Sequence, residues 1–151
     1  MYHILIVEDD RSLNQGIALA LKEEDVSFYQ AYTIAEARTL LRDRSIDMVL
    51  LDINLPDGSG YDFLKEIRNV SELPVLMITA NDMESDEVTG FSLGADDYIT
   101  KPFSLMALRA RVGRIRQRTA SAQTKKEYSD ERYAFPFDSM KFYVESEEVT
   151  L

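Results

Sequence analysis

The sequence predicts an α/β fold: a five-stranded, doubly wound parallel sheet followed by a short antiparallel β meander. Five short apolar runs alternate with stretches whose apolar residues recur at helical spacing. Such alternation builds a parallel sheet with right-handed connections and helices on both faces. The third run, residues 48–51, is unbroken, as expected of a strand buried on both sides. It leads directly into Asp52 and a turn marked by Pro56, Gly58 and Gly60. Near the end of the chain Phe135/Phe137, Phe142/Val144 and Val149/Leu151 alternate across turn signals, and these make the meander.

The first strand spans residues 3–7 and ends in Glu8-Asp9-Asp10, after which Leu13, Ile17, Ala20 and Leu21 recur at helical spacing. Residues 27–31 read as the second strand. Thr33-Ile34-Ala35-Glu36 is a capping box opening a helix with Ile34, Ala37 and Leu41 inward. After the Asp52 strand, Tyr61, Phe63, Leu64 and Ile67 belong to a helix that must end before Pro74. Residues 75–78 are the fourth strand, ending in Thr79-Ala80. The stretch 83–93 is helical, but Val88, Phe91 and Leu93 make a thin apolar stripe that anchors it weakly. Residues 96–100 lead into a short fifth strand, followed by Lys101-Pro102-Phe103. Ser104 caps a last helix with Leu105, Leu108, Val112 and Ile115 inward. From 119 to 132 periodicity is lost and a linker is expected. The expected organisation is therefore a domain over 1–118, a linker over 119–132 and the meander over 133–151.

The 151 residues are 45% hydrophobic and 29% charged, which favours a packed core over disorder. There is no cysteine, hence no disulfide or thiolate chemistry. No signal peptide or membrane span is legible, and a cytoplasmic protein is expected. Lys and Arg total 17 against 27 Asp and Glu, so the chain as a whole is a poor nucleic-acid binder. Arg109, Arg111, Arg114, Arg116 and Arg118 crowd one segment, read as a solvated helix face.

An acid at the tip of a buried strand is costly unless something pairs with it. In open α/β sheets, ligands gather beyond the carboxyl ends of the strands. The first strand brings Glu8, Asp9 and Asp10 to that edge, the fourth brings Thr79, and the fifth leads to Lys101. Crowded carboxylates repel unless a cation intervenes, and a hard divalent ion such as Mg²⁺ suits an open cleft of few protein ligands. With an ammonium and a hydroxyl beside it, Asp52 becomes a candidate nucleophile for phosphoryl transfer. Taken singly, Asp9 and Asp10 read equally well as helix caps, Thr79 as a turn residue, and His3 as an ordinary edge residue.

Four blocks, Ile4-Leu5-Ile6-Val7-Glu8-Asp9-Asp10, Leu50-Leu51-Asp52-Ile53-Asn54-Leu55-Pro56-Asp57-Gly58, Ile78-Thr79-Ala80 and Gly94-Ala95-Asp96-Asp97-Tyr98-Ile99-Thr100-Lys101-Pro102-Phe103, resemble the receiver domain of two-component response regulators. The last block and the meander resemble the OmpR-type subfamily of transcription factors. The resemblance implies a flavodoxin-like sheet of strand order 2-1-3-4-5. It implies Asp52 as phosphoacceptor and a Mg²⁺ ion held by Asp9, Asp52 and the main-chain carbonyl of Asn54, with Glu8 in support. Thr79 and Lys101 would contact the phosphoryl oxygens, Thr79 and Tyr98 would form a switch pair, and the Lys101-Pro102 bond would be cis. The implied activity is that of a phosphorylation-activated regulator and not of a turnover enzyme, with at most self-phosphorylation from small donors and autodephosphorylation.

The implied partners are a sensor histidine kinase and, on phosphorylation, a second copy of the chain; no membrane partner is implied. The subfamily dimerises through its fourth helix, fifth strand and fifth helix. The base and Glu commonly found there correspond to Glu87 and Ala107, so that pair is lost, while Asp96 and Asp97 can still meet Arg111. DNA would be bound only through a winged helix that follows the β platform. The sequence stops at Leu151, so residues 133–151 are expected to be the start of a truncated effector domain. That stretch carries Lys141 against Asp138, Glu145, Glu147 and Glu148 and is not expected to bind DNA. Two other readings are an aspartate-nucleophile phosphohydrolase, disfavoured because Asn54 stands where that class needs a second acid, and a receiver-like docking module that is never phosphorylated.

Overall fold

The computed structural model describes residues 1–79, 94–126, 143–145 and 148–149. In chain order the elements are β1 (Tyr2–Val7), α1 (Arg11–Ala20), β2 (Val26–Ala31), α2 (Ile34–Asp43), β3 (Met48–Asp52), β4 (Asn54–Leu55), β5 (Gly58–Ser59), α3 (Gly60–Arg68), β6 (Val75–Thr79), β7 (Asp97–Thr100), α4 (Leu105–Lys126), β8 (Tyr143–Glu145) and β9 (Glu148–Val149). The five longer parallel strands form one sheet in the order β2-β1-β3-β6-β7, which is the expected 2-1-3-4-5. β4 and β5 make a small antiparallel hairpin in the turn after Asp52, and β8 pairs antiparallel with β9. The expected helix over 83–93, Glu87 within it, and Phe135, Phe137 and Phe142 of the meander lie outside the described residues.

Strand alternation divides the core into two layers. Leu5, Val7, Val49, Leu51, Val75, Met77 and Tyr98 pack against Ala37 and Leu41 of α2 and Phe63, Leu64 and Ile67 of α3. Ile4, Ile6, Met48, Leu50, Leu76, Ile78 and Ile99 pack against Ile17 of α1 and Leu108, Val112 and Ile115 of α4. Burying each large aliphatic chain contributes roughly 1.5–3 kcal/mol before entropy is counted. Since both faces of the inner strands are apolar, swapping faces does little to fix register there. The polar tips do more, because a one-residue slip that drew Asp52 inward would bury an unpaired carboxylate.

The helix caps explain where the chain turns. Asp10 Oδ1 accepts the Leu13 N–H at 3.1 Å to open α1, and Ser104 Oγ accepts the Ala107 N–H at 2.9 Å to open α4. At α2, Thr33 Oγ1 accepts the Glu36 N–H at 3.1 Å, while Glu36 Oε1 reaches back to the Tyr32 N–H at 2.7 Å. The expected capping box therefore forms, with its return bond one residue further back than usual.

Three expectations need correction. α4 does not stop at 118 but runs to Lys126, through part of the stretch expected to be a linker. Ala120, Ala122, Gln123, Lys125 and Lys126 are strong helix formers, so propensity sustains the helix after its apolar stripe has ended. Leu105, expected inward, is 42% exposed. The arginines of α4 are also not simply a solvated face. Arg111 and Arg114 lie 2.9 and 3.1 Å from Asp97, and Arg116 and Arg109 lie 2.5 and 3.4 Å from Asp25 and Glu23. The pairs to Glu23 and Asp25 are exposed and worth roughly 0.2–1 kcal/mol each, whereas Arg111 and Arg114 close on the buried carboxylate of Asp97.

Gly60 opens α3 directly behind the Asp52 strand. A Cβ there would stand 2.2 Å from the Asp52 carbonyl oxygen and 2.8 Å from Ile53 Cα, both backbone atoms that cannot swing away. Gly60→Ala should therefore cost about 3 kcal/mol or more in urea unfolding, at the upper end of overpacking penalties. A loss below about 1 kcal/mol would mean that the α3 start is looser than this packing allows.

Candidate functional site

The strand order reverses at β1, with β2 on one side and β3, β6 and β7 on the other. A crevice opens at such a reversal, beyond the carboxyl ends of the strands. Val7 is in register with Leu51, so Glu8 stands level with Asp52 at the mouth of this crevice. Asp52 pairs with Ile78 and Thr79 with Thr100, which brings Thr79 and then Lys101 to the same edge. Lys101 is tied there by its N–H to the Thr79 carbonyl at 2.5 Å. The Lys101-Pro102 peptide is cis, as the resemblance implies.

Glu8 and Asp52 are only 1% and 3% exposed, whereas Asp9 projects into solvent. Lys101 Nζ lies 2.9 Å from Glu8 Oε1 and 3.5 Å from Asp52 Oδ2. Asp52 Oδ1 faces the Asn54 N–H at 3.4 Å, and Glu8 Oε2 accepts the Asp10 N–H at 3.0 Å. Burial pushes the Glu8 carboxyl up to about 7, against an ordinary value of 4.5; the Asp10 N–H and Lys101 pull the other way, and the Asp52 charge adds to the rise. Burial likewise raises Asp52, although Lys101 and the Asn54 N–H oppose it. Burial works to lower the Lys101 ammonium, but the two carboxylates outweigh it and hold it above its ordinary value.

Oxygens of Glu8, Asp9 and Asp52 all come within 4.8 Å of one another. Three carboxylates gathered around one ammonium leave an excess of negative charge. An all-oxygen donor set of this kind, open to solvent on the Asp9 side, fits a hard divalent cation that keeps several waters. The residues present therefore fit Mg²⁺.

The structure thus gathers Glu8, Asp9, Asp52, Thr79 and Lys101 at one edge, with Asn54 next to Asp52 in the turn. Tyr98 is buried one residue before Ile99 on β7, in the core layer facing α2 and α3. Asp96, Asp97 and Arg111 lie elsewhere, where β7 begins. There Asp96 Oδ2 is taken by Arg68 at 2.9 Å and by the Val75 N–H at 2.8 Å, while Asp97 holds Arg111 of its own chain.

Two polar residues behind the site were not singled out from the sequence. Asp57 Oδ1 and Oδ2 accept the Ile34 and Ala35 N–H groups at 2.8 and 3.0 Å, so the loop after Asp52 caps α2. Asn14 is fully buried on the inner face of α1. A polar residue three before Ile17, on an otherwise apolar face, was the available signal for it.

A family model, the response regulator receiver domain, matches residues 4–113. The chain belongs to that family. Among curated proteins it is 46% identical over 108 residues to the uncharacterized transcriptional regulatory protein YcbL of Bacillus subtilis (strain 168), covering 72% of this chain and 48% of that one. It is 36% identical over 124 residues to the KDP operon transcriptional regulatory protein KdpE of Escherichia coli (strain K12), covering 82% and 55%. The chain spans about half the length of the curated relatives it matches. Among solved structures, the non-phosphorylated HemR receiver domain from Leptospira biflexa is 33% identical with a TM-score of 0.72, covering 88% of this chain and 100% of that one. DrrB, a Thermotoga maritima OmpR/PhoB homolog, is 32% identical with a TM-score of 0.71, covering 79% and 54%.

The raised Glu8 makes stability depend on pH. An acid whose pKa rises on folding ionises first in the unfolded chain, so folding loses stability as pH rises from about 4.5 to about 7. Glu8→Gln removes that loss. In chelator, the variant should gain on the wild type by on the order of 1–3 kcal/mol between pH 5 and pH 8, and Mg²⁺ should narrow the gap at pH 8. Denaturant melts at both pH values check this; a gap that stays constant with pH would remove Glu8 from the buried cluster.

Proposed function

We propose that this chain is the phosphoacceptor part of a two-component response regulator that controls transcription. In this reading a sensor histidine kinase is the donor, Asp52 is the nucleophile, and the product is an aspartyl phosphate. The single observation that carries it is the buried Asp52 carboxylate beside Lys101 Nζ at 3.5 Å, at the point where the strand order reverses. Asp9, Asp52 and the Asn54 carbonyl would hold Mg²⁺, with Glu8 supporting them. The ion would supply charge neutralisation for the incoming phosphoryl group. Lys101 would pair with one phosphoryl oxygen and Thr79 would donate its hydroxyl to another. The domain accepts a group and is not a turnover enzyme.

Thr79 and Tyr98 are proposed as the switch pair, since one stands at the tip of β6 and the other is packed beneath on the adjacent strand β7. Phosphorylation would bias this pair by a population shift and favour a two-fold dimer. Asp97, Asp96 and Arg111 are proposed for that interface, but their carboxylates already hold Arg111, Arg114 and Arg68 within one chain. A dimer would share or exchange these pairs, and its gain from them would be correspondingly small. Residues 1–118 are proposed as the receiver, 119–132 as the connection and 133–151 as the beginning of an OmpR-type effector. DNA contact is assigned to a winged helix beyond that point, and a cytoplasmic location follows from this role.

Incubation with acetyl phosphate and Mg²⁺, followed by intact-mass measurement, tests the reading. One added phosphoryl group on the wild type and none on Asp52→Asn is the expected result. Turnover of the donor without accumulation would favour the phosphohydrolase reading, and no reaction the docking module. Undiminished labelling of Asp52→Asn would move the nucleophile elsewhere.

A further inference from the structure

The buried Asn14 side chain reaches from α1 to the carboxyl ends of β1 and β2. Its Nδ2 lies 3.0 Å from the Glu8 carbonyl, 3.3 Å from the Ala31 carbonyl and 3.5 Å from the Ile6 carbonyl. Its Oδ1 accepts the Gln30 Nε2–H at 2.9 Å, which leaves the NH₂ group facing the strand ends. The side chain is therefore used at both ends, as a fully buried amide must be to avoid a desolvation penalty.

The Glu8 carbonyl belongs to the peptide that carries Asp9, the solvent-facing member of the acid group. That peptide lies past the end of β1, where among the described residues no strand partner holds its carbonyl. The N–H on the other side of Glu8 is bonded to the Ala31 carbonyl at 3.0 Å, an oxygen that Asn14 Nδ2 also meets. The bond from Asn14 thus completes the fixing of Glu8 on both of its peptide planes. Repulsion among Glu8, Asp9 and Asp52 pushes these acids apart in the absence of a cation, and a restrained backbone resists it.

We infer that Asn14, oriented by Gln30, is a positioning residue that holds the Glu8-Asp9 peptide so that the acid group is pre-arranged for a divalent cation. This rests on the reading of Glu8, Asp9 and Asp52 as a metal site. Residues that orient ligands without touching the metal typically change affinity by about 10–100-fold when removed.

The experiment is calorimetric titration of the unphosphorylated full chain with Mg²⁺, for the wild type, Asn14→Ala, Gln30→Ala and Ile17→Val. Ile17→Val is a core change on the same helix that does not touch the strand ends. Asn14→Ala should raise the Mg²⁺ dissociation constant about 10-fold, Gln30→Ala should raise it less, and Ile17→Val should leave it unchanged. Acetyl phosphate labelling at saturating Mg²⁺ should stay within about twofold of the wild type in all, because the lost term is one of binding. If Asn14→Ala does not fold, Gln30→Ala decides, since it leaves the buried amide in place and removes only its orientation. An unchanged constant in Asn14→Ala, or in Gln30→Ala where the first cannot be prepared, overturns the inference while the site stands. A wild type that binds no Mg²⁺ overturns the site itself, and the inference with it.

Discussion

Two buried carboxylates, Glu8 and Asp52, share the ammonium of Lys101, and much of the fold is arranged to make that unfavourable grouping tolerable. Each acid is at a strand end, and the residues just beyond it can lend their N–H groups. The Asp10 and Asn54 N–H groups do this for Glu8 and Asp52 respectively. Lys101 is delivered by the short strand at the edge of the sheet, far along the chain from both acids. No local segment could assemble this set; only parallel strands ending level with one another bring it together.

The charge is left under-compensated, and the chemistry follows from that. A fully neutralised cluster would be a structural ion network with little affinity for anything further. Here one ammonium pairs with two of three clustered carboxylates, and the third, Asp9, faces solvent at the rim. Burial strengthens every electrostatic term in such a site, so a cation bound there would contribute more than it would on an open surface. The cost is borne by the core layers on either side of the sheet, whose aliphatic side chains hold the strand ends in place.

The helices contribute unequally to this arrangement. α1 reaches the site through Asn14, α2 is capped by Asp57 from the loop that follows Asp52, and α3 begins at a position where only a glycine fits behind Asp52. Among the described residues, α1, α2 and α3 are thus tied by hydrogen bonds or close backbone packing to the segments that carry the polar groups of the crevice. α4 is held differently, by apolar contacts on its inner face and by ion pairs from its arginines to Glu23, Asp25 and Asp97.

The periodicity of apolar residues determined the five parallel strands, the order of elements and most of the inward-facing residues of the helices, because burial of a pattern depends on spacing along the chain. The blocks around Glu8, Asp52, Thr79 and Lys101 were legible for the same reason: each sits at the end of an apolar run, where a polar residue stands out. What the sequence could not determine was partnership. Arg111 was free to be read as a cross-subunit contact, yet folding places it against Asp97 of its own chain. The length of α4 was misread because propensity continues a helix after its periodicity has ended. The roles of Asn14 and Asp57 were invisible because most of their partners are backbone groups of other elements, and backbone groups carry no sequence signature. Only the tertiary structure, by setting strand ends side by side, decides which carbonyl or N–H a buried polar side chain will meet.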